Sequence, residues 1–154
     1  MSAREMLDAT LRATQDAAVF VATAAVADWR PASHSAHKNK KEGSGKPPVL
    51  HFVENEDILL TVAQGERAKA GQLFCVGFAA ESENLAEHAE ARRERKGIPL
   101  LVGNIGPLTF GQDHTSLLLV DAKGVRELPC APKLTLAREL VAEIAARLPA
   151  RSQR

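Results

Sequence analysis

The sequence is poor in the residues that mark several special classes of protein: it has two cysteines, one tryptophan and no tyrosine. Cys75 and Cys130 have neither CxxC nor another metal-type spacing, so no cysteine-based metal site is predicted. A formal net charge of only +1, with so few aromatic side chains, disfavours nucleic acid and membrane surfaces as partners. No apolar run approaches the ~18 residues of a transmembrane helix, and the first residues lack the basic-then-apolar order of a signal peptide. A cytoplasmic protein is the resulting expectation.

Common catalytic and metal-binding signatures are also absent. The sequence contains no GxSxG, GxxxxGK[ST] or GxGxxG motif. His34 and His37 form HxxH, but no third ligand is nearby in sequence, so solvated histidines are favoured over a metal site. His51, His88 and His114 are scattered and indicate no catalytic triad. No residue is therefore assigned as a metal ligand.

The residues that are present predict a single domain of 154 residues, with the 45% hydrophobic and 25% charged content of a globular protein. Ser2 and Glu5 have capping-box spacing and predict a helix up to about Asp16. The apolar run Ala18–Val26 does not alternate, which is typical of a parallel strand covered on both faces. Arg30–Pro48 is a long polar loop, and such loops are either functional or disordered.

The remainder of the chain alternates between predicted strands and helices. The predicted elements are a strand at Val49–Val53, a helix with Asn55 as N-cap running to Ala70, a strand at Leu73–Ala79, a helix at Asn84–Lys96 stopped by Gly97, a strand at Pro99–Gly103, a hairpin formed by residues 115–121 and 125–128, and a helix at Leu134–Leu148. This alternation predicts a Rossmann-like α/β fold: a parallel sheet flanked by helices, with a C-terminal β-hairpin and helix.

Ligands of such sheets bind beyond the carboxyl ends of the strands, and Asp28, Phe78 and Asn104 lie at or just past predicted strand ends. Asp28 has two interpretations: it binds a ribose hydroxyl or a metal-bound phosphate, or it caps the following turn. Phe78 either stacks on a base or packs in the core. Both pairs of alternatives remain open at the level of sequence.

Two basic clusters have the charge to bind phosphate groups. Lys38, Lys40 and Lys41 repel one another unless an anion lies among them; the alternative is a solvated basic loop. Arg92 and Lys96 stand at i and i+4, so they project from one helical face. They either clamp phosphates or form a solvent-facing strip that complements the helix C-terminus.

Taken in order, these segments resemble one family. The matching segments are AAVADWRP at Ala24–Pro31, KNKK at Lys38–Lys41, NEDIL at Asn55–Leu59, VGFAAES at Val76–Ser82, the RRERKG helix end and GN at Gly103–Asn104. The resemblance is to the bacterial phosphopantothenate–cysteine ligase, the synthetase part of the bifunctional coenzyme A biosynthesis flavoprotein, and it covers nearly the whole chain. The KxKK and DWRP forms resemble the bacterial branch that uses CTP.

This resemblance implies a Rossmann-like domain that forms a homodimer, and a reaction in two halves. The carboxylate of 4′-phosphopantothenate attacks the α-phosphate of CTP with Mg²⁺ as cofactor, which gives an acyl-cytidylate and pyrophosphate. The amine of cysteine then displaces CMP and forms the amide. Such a site must hold polyphosphate charge and align two anionic reactants.

The resemblance also assigns roles to individual residues. Lys38 is the first lysine of KxKK and is implied to be catalytic, because it contacts both the nucleotide and the activated intermediate. The implied nucleotide-binding residues are Asp28, Lys38, Glu56, Asp57, Ile58, Leu59, Phe78, Arg92 and Lys96.

The sequence departs from the family pattern at two places. After Asn104 the family commonly has Asp-Val, whereas this chain has Ile105 and Gly106. The family's opening segment, which has a glycine-rich start, an SSG-type turn and an asparagine that holds the acyl-cytidylate, has no counterpart in this sequence. That segment is at least one βαβ unit of roughly 30 residues. The expectation is therefore a ligase fragment with impaired turnover; the alternative is a non-catalytic nucleotide-binding or dimerisation module.

Overall fold

The computed structural model describes residues 2–33, 49–81, 85–105 and 111–148. Its five helices and seven strands, in chain order, are α1 (Ala3–Ala13), β1 (Val19–Ala22), β2 (Trp29–Pro31), β3 (Phe52–Glu54), α2 (Ile58–Ala63), α3 (Glu66–Lys69), β4 (Phe74–Glu81), α4 (Leu85–Lys96), β5 (Leu100–Ile105), β6 (His114–Asp121), β7 (Gly124–Pro132) and α5 (Lys133–Arg147).

Five strands form the central sheet in the order β1-β4-β5-β6-β7. The pairs β1–β4 and β4–β5 are parallel, whereas β5–β6 and β6–β7 are antiparallel. The predicted Rossmann-like α/β fold is confirmed, with the correction that the C-terminal hairpin joins the parallel strands in one mixed sheet. The parallel strands bring their carboxyl ends to one edge, where ligands of such sheets bind.

The sheet separates two apolar cores, because alternate residues of a strand point to opposite faces. Leu101 of β5 faces a core that also contains Leu7, Leu59 and Ile98. Its neighbours Leu100 and Val102 face the other core, in which Leu136, Leu140 and Ile144 of α5 are buried. The helix predicted at Leu134–Leu148 is therefore confirmed as α5, and Leu148 follows its end.

The helix starts show one prediction that is right and one that is wrong. Ser2 and Glu5 form the predicted capping box of α1. The N-cap of α2 is Asp57, whose side chain accepts from Leu60 N–H, and not Asn55. The helix expected to run to Ala70 is interrupted at Gly65, which is the N-cap of α3.

The segment after β1 also differs from the prediction. β1 ends at Ala22 rather than Val26, so residues 23–27 leave the sheet. Trp29–Pro31, which includes the first two residues of the predicted polar loop, pairs antiparallel with Phe52–Glu54 in a separate two-stranded sheet, here named the β2–β3 ribbon. The strand predicted at Val49–Val53 is thus observed later in the chain, as β3. Residues 34–48 of the predicted loop Arg30–Pro48 lie outside the described residues. Within the described ranges, no helix is long and apolar enough to cross a bilayer.

Candidate functional site

A cavity of about 290 Å³ lies at the carboxyl end of β1, beside Phe78 of β4. The prediction that Phe78 is at a strand end is wrong, because β4 continues to Glu81. The walls of the cavity come from the end of β1, the segment that follows it, the segment before α2, and the side of α4. Of the nine residues predicted to bind nucleotide, seven line this cavity: Asp28, Glu56, Asp57, Ile58, Leu59, Phe78 and Lys96. Arg92 is not among the described lining residues, and Lys38 lies outside the described part of the chain. Asn104 is at the end of β5 and does not line the cavity.

Asp57 and Lys96 form an ion pair across the cavity. The Lys96 Nζ atom is 3.0 Å from Asp57 Oδ2 and 3.4 Å from Oδ1, and the lysine side chain is only 18% exposed. Burial alone would raise the pKa of Asp57, but hydrogen bonds from Leu60 N–H and Lys96 outweigh it and hold the pKa below its usual range. Asp57 therefore stays ionised, caps α2 and fixes the ammonium group at the cavity wall.

Acidic groups outnumber basic ones around the cavity. The lining residues Asp28, Glu54, Glu56 and Asp57 are carboxylates, and Lys96 is the cation among the described lining residues. A polyphosphate bound here would be repelled unless further positive charge came with it. A metal ion, or cations from outside the described residues, would offset this repulsion.

Glu56 is linked to the first helix. Arg4 Nη1 donates to Glu56 Oε2 at 2.8 Å, and Arg4 Nε is 3.6 Å from Asp8. All three side chains are largely exposed, so screening by solvent makes this a weak attachment of α1 to the segment before α2.

The structure confirms core packing for Phe78, while stacking on a base stays a prediction. Phe78 lines the cavity, and it also packs against the buried cluster beneath α5. The preceding residue, Gly77, has no room for a side chain, because a Cβ atom there would be 2.8 Å from side-chain atoms of Ile98, Leu101 and Leu59. The close packing beside Gly77 fixes the backbone that carries Phe78.

Two residues near the site were not recognised as such from the sequence, Asn55 and Arg30. The Asn55 side-chain nitrogen donates to Ala27 O at 2.8 Å, and its backbone N–H donates to Asp28 O at 2.7 Å. Arg30 Nη1 donates to the Asn55 side-chain oxygen at 2.9 Å and to Glu54 O at 2.8 Å. The sequence predicted Asn55 as a helix N-cap and Arg30 as the start of a polar loop, and both residues otherwise served only as parts of the segments that match the family.

The described residues contain no group of three or more His, Cys, Asp or Glu side chains arranged to hold a metal ion. A magnesium ion in a nucleotide site needs fewer protein ligands than that, because one or two carboxylates and the phosphates of the nucleotide coordinate it. The Asp28 carboxylate lines the cavity and has no side-chain partner within the described ranges. It fits such a metal ion.

Comparison with known proteins identifies relatives across almost the whole chain. The family model described as the DNA/pantothenate metabolism flavoprotein C-terminal domain matches residues 1–148. The coenzyme A biosynthesis bifunctional protein CoaBC of Mycolicibacterium smegmatis is 41% identical over 157 residues, covering 94% of this chain and 37% of that protein. CoaBC of Escherichia coli strain K12 is 34% identical over 158 residues, covering 100% of this chain and 38% of that protein. The chain thus spans little more than a third of the length of these relatives.

Solved structures share the fold. The C-terminal domain of CoaBC superposes with a TM-score of 0.71 at 28% identity, covering 96% of this chain and 63% of that domain. A flavoprotein of the same family from Streptococcus pneumoniae superposes with a TM-score of 0.72 at 17% identity, which supports the fold alone. Since the family model spans nearly the whole sequence and both relatives exceed 30% identity, the chain belongs to the family of DNA/pantothenate metabolism flavoprotein C-terminal domains.

Proposed function

We propose that this chain provides the nucleotide site of a phosphopantothenoylcysteine synthetase, a ligase of coenzyme A biosynthesis that uses CTP. The observation that carries the proposal is that seven of the nine residues implied to bind nucleotide line one cavity at the ligand-binding edge of the sheet. The relatives are bacterial coenzyme A biosynthesis proteins, and the cytoplasm is the proposed location.

The charge of the cavity explains why the proposal includes Mg²⁺ and the lysine cluster. CTP adds several negative charges to a wall that already carries four carboxylates and one ammonium group. Asp28 would hold Mg²⁺ together with the phosphates, and the metal ion would neutralise charge that develops on them. Lys38, Lys40 and Lys41 provide the remaining positive charge on the segment just outside the described residues.

In the proposed reaction, a carboxylate oxygen of 4′-phosphopantothenate bonds to the α-phosphorus of CTP, and pyrophosphate leaves with the bonding electrons. The cysteine amine then bonds to the acyl carbon, CMP leaves with its oxygen, and the amine loses a proton. Lys96, oriented by Asp57, is proposed to pair with a phosphate oxygen, and Phe78 to stack on the base. Lys38 is proposed to contact the nucleotide and the acyl-cytidylate, where an ammonium group stabilises the developing negative charge.

A thermal unfolding series tests nucleotide binding. Mg·CTP at a hundredfold excess over its Kd is expected to stabilise the chain by about 2.7 kcal/mol and raise its Tm, while CTP without Mg²⁺ has a much smaller effect. Lys38→Gln should weaken the shift, and Lys123→Gln, in the turn between β6 and β7, should leave it unchanged. A folded chain whose Tm does not respond to Mg·CTP would refute the nucleotide site.

Turnover requires a separate measurement, because a second function remains open: a module that binds nucleotide without catalysis. The charge of the cavity favours this alternative, because four carboxylates and one ammonium group among the described lining residues would stabilise little developing negative charge. Pyrophosphate release from Mg·CTP that depends on 4′-phosphopantothenate supports ligase chemistry. Binding of CTP with no pyrophosphate release in the presence of both other substrates supports the module.

The β2–β3 ribbon is the proposed homodimer contact. Trp29 and Phe52 of the ribbon and the adjoining Leu50 are exposed, and such clustered apolar side chains mark interfaces. Leu50→Asp is expected to convert a dimer to a monomer in sedimentation velocity. Leu134→Asp is the matched control, since Leu134 on α5 is equally exposed (64% against 61%) and lies away from the ribbon. A monomeric wild type, or equal effects of the two variants, would exclude this contact.

A further inference from the structure

The segment that leaves β1 has little regular support before β2 begins. Residues 23–27 belong to neither a strand nor a helix, yet five of the six residues from Thr23 to Asp28 line the cavity. Among the hydrogen bonds between described residues, those that hold this segment to the segment before α2 are accepted by Ala27 O and Asp28 O, and both come from Asn55. Asn55 is therefore the described residue whose hydrogen bonds join these two segments next to the β2–β3 ribbon.

We propose that Asn55 and Arg30 are positioning residues of the nucleotide site: together they fix the segment that carries Asp28 against the segment that carries Asp57. The inference rests on the proposed function, because it assigns these two residues to the same site. Neither of them was among the residues implied to bind nucleotide. Their role is to hold these two segments at the separation that the ligand requires.

The chemistry of the amide explains why asparagine is required. Its nitrogen donates to Ala27 O while its oxygen accepts from Arg30, so the side chain needs a donor and an acceptor at once. An aspartate would keep the acceptor but lose the donor, and its charge would face the Ala27 carbonyl oxygen. An alanine would lose both bonds while keeping the backbone bond to Asp28.

Arg30 completes the arrangement from the β2–β3 ribbon. One of its nitrogens, Nη1, bridges the Asn55 side-chain oxygen and Glu54 O, at 2.9 and 2.8 Å. This bridge fixes the rotamer of Asn55 so that its nitrogen faces Ala27. The register of the ribbon supports the same geometry, since Arg30 pairs with Val53 and Trp29 pairs with Glu54.

The first experiment measures the affinity for Mg·CTP by titration calorimetry, beside the urea midpoint without nucleotide. Asn55→Asp and Asn55→Ala are each expected to lower the affinity about tenfold or more, because small misplacements of binding groups are costly. The urea midpoint should stay close to that of the control Gln64→Glu, which makes the same amide-to-acid change at the end of α2, outside the cavity lining. If the affinity for Mg·CTP falls only in variants whose urea midpoint also falls, the positioning role is wrong.

A double-mutant cycle tests whether the two residues act as one unit. Arg30→Met alone should reduce the affinity about as much as Asn55→Ala, and the double variant should lose little more than either single one, because residues of one network are not additive. Independent, multiplying effects of the two substitutions would contradict a shared role.

A readout without nucleotide separates this inference from the proposed function. The N–H of residue 55 donates to Asp28 O, so in Asn55→Ala the amide at position 55 is expected to exchange with solvent about tenfold faster. The amide of Val76 in β4 should exchange at its original rate. If the wild type binds no Mg·CTP, the proposed function is wrong. The exchange measurement still tests the contact between the two segments in that case. Unchanged exchange at position 55 would overturn the contact itself.

Discussion

Among the described glycines, Gly77 has the closest surroundings. A Cβ atom there would approach Ile98 Cδ1, Leu101 Cδ1 and Leu59 Cδ2 to 2.8 Å each, and all three side chains are buried. One of these side chains could shift at little cost. All three could not shift together, because they are packed in the same core and would displace their neighbours. The absence of a side chain at position 77 is therefore a requirement of the core beside the cavity.

Gly77→Ala is accordingly expected to lower the free energy of unfolding by about 1–3 kcal/mol, the usual cost of overpacking. Urea denaturation followed by circular dichroism measures it. Ile98→Val removes one of the three clashing atoms, so the double variant should lose less than the sum of the two single variants. An unchanged urea midpoint in Gly77→Ala would contradict the packing around β4.

The acidic segment before α2 and its neighbours show which roles of single residues could be predicted from the sequence. Strand ends and the family resemblance singled out Asp28, Phe78 and Lys96, and the three line one cavity because their positions follow from the order of elements. The same reasoning assigned the helix cap to Asn55, since asparagine is a favoured N-cap residue. The Asn55 side chain instead bonds to Ala27, and Asp57 caps the helix. A contact across 28 residues leaves no local pattern from which it could be predicted.

At the scale of elements, the last helix is attached to the β6–β7 hairpin by charge as well as by apolar packing. Arg147 donates to Asp121 Oδ2 at 2.9 Å and to Glu143 Oε2 at 2.6 Å, and Arg126 of β7 is 2.5 Å from the other Glu143 oxygen. The two arginines lower the pKa of Glu143. Burial opposes a low pKa at Asp121, but Arg147 and the Lys123 N–H outweigh it, so the pKa of Asp121 is lowered too.

Arg147→Met is expected to destabilise the chain by about 1–3 kcal/mol at neutral pH, through loss of charge-assisted hydrogen bonds. Carboxylates with lowered pKa stabilise the fold above their unfolded pKa, and this contribution is lost as pH falls through the folded pKa. The difference between wild type and variant should therefore shrink below about pH 4. Urea unfolding at several pH values measures it, with Arg138→Met, an exposed change on the same helix, as control. A difference independent of pH would contradict the ionic contribution.

The elements that sequence patterns predicted best are those with a clear local signal, such as the capping box of α1, the apolar run of β4 and the leucine spacing of α5. β3 overlaps the strand predicted at Val49–Val53, but β2 and its pairing with β3 were not predicted, because Trp29–Pro31 lies beside a polar stretch and its partner is distant in the chain. A strand as short as β2 shows no alternation that could be recognised. The same is true of the early end of β1, where the apolar residues after Ala22 line a cavity instead of continuing a strand.

At the scale of the whole molecule, the central sheet separates two apolar cores, which have only the backbone of the strands in common. Leu101 and Ile98 belong to the core beneath α1 and α2, and Leu136 and Ile144 belong to the core beneath α5. The cavity is lined mainly by residues of the first core, including Leu59 and Ile58, and Phe78 is the described lining residue that packs against the second core. Changes in the second core that leave Phe78 in place should therefore alter stability without reshaping the cavity.

This partition predicts which substitutions combine independently. Ile98→Val and Ile144→Val are each expected to lower the free energy of unfolding by about 0.5–1.5 kcal/mol. They lie on opposite faces of the sheet and share no side-chain contact, so their effects should add to within about 0.5 kcal/mol. The pair Gly77→Ala and Ile98→Val, on one face, should deviate from additivity, as argued above. Equilibrium urea unfolding of the single and double variants compares the two pairs. Coupling of the opposite-face pair as strong as that of the same-face pair would mean that the strands transmit packing changes from one core to the other.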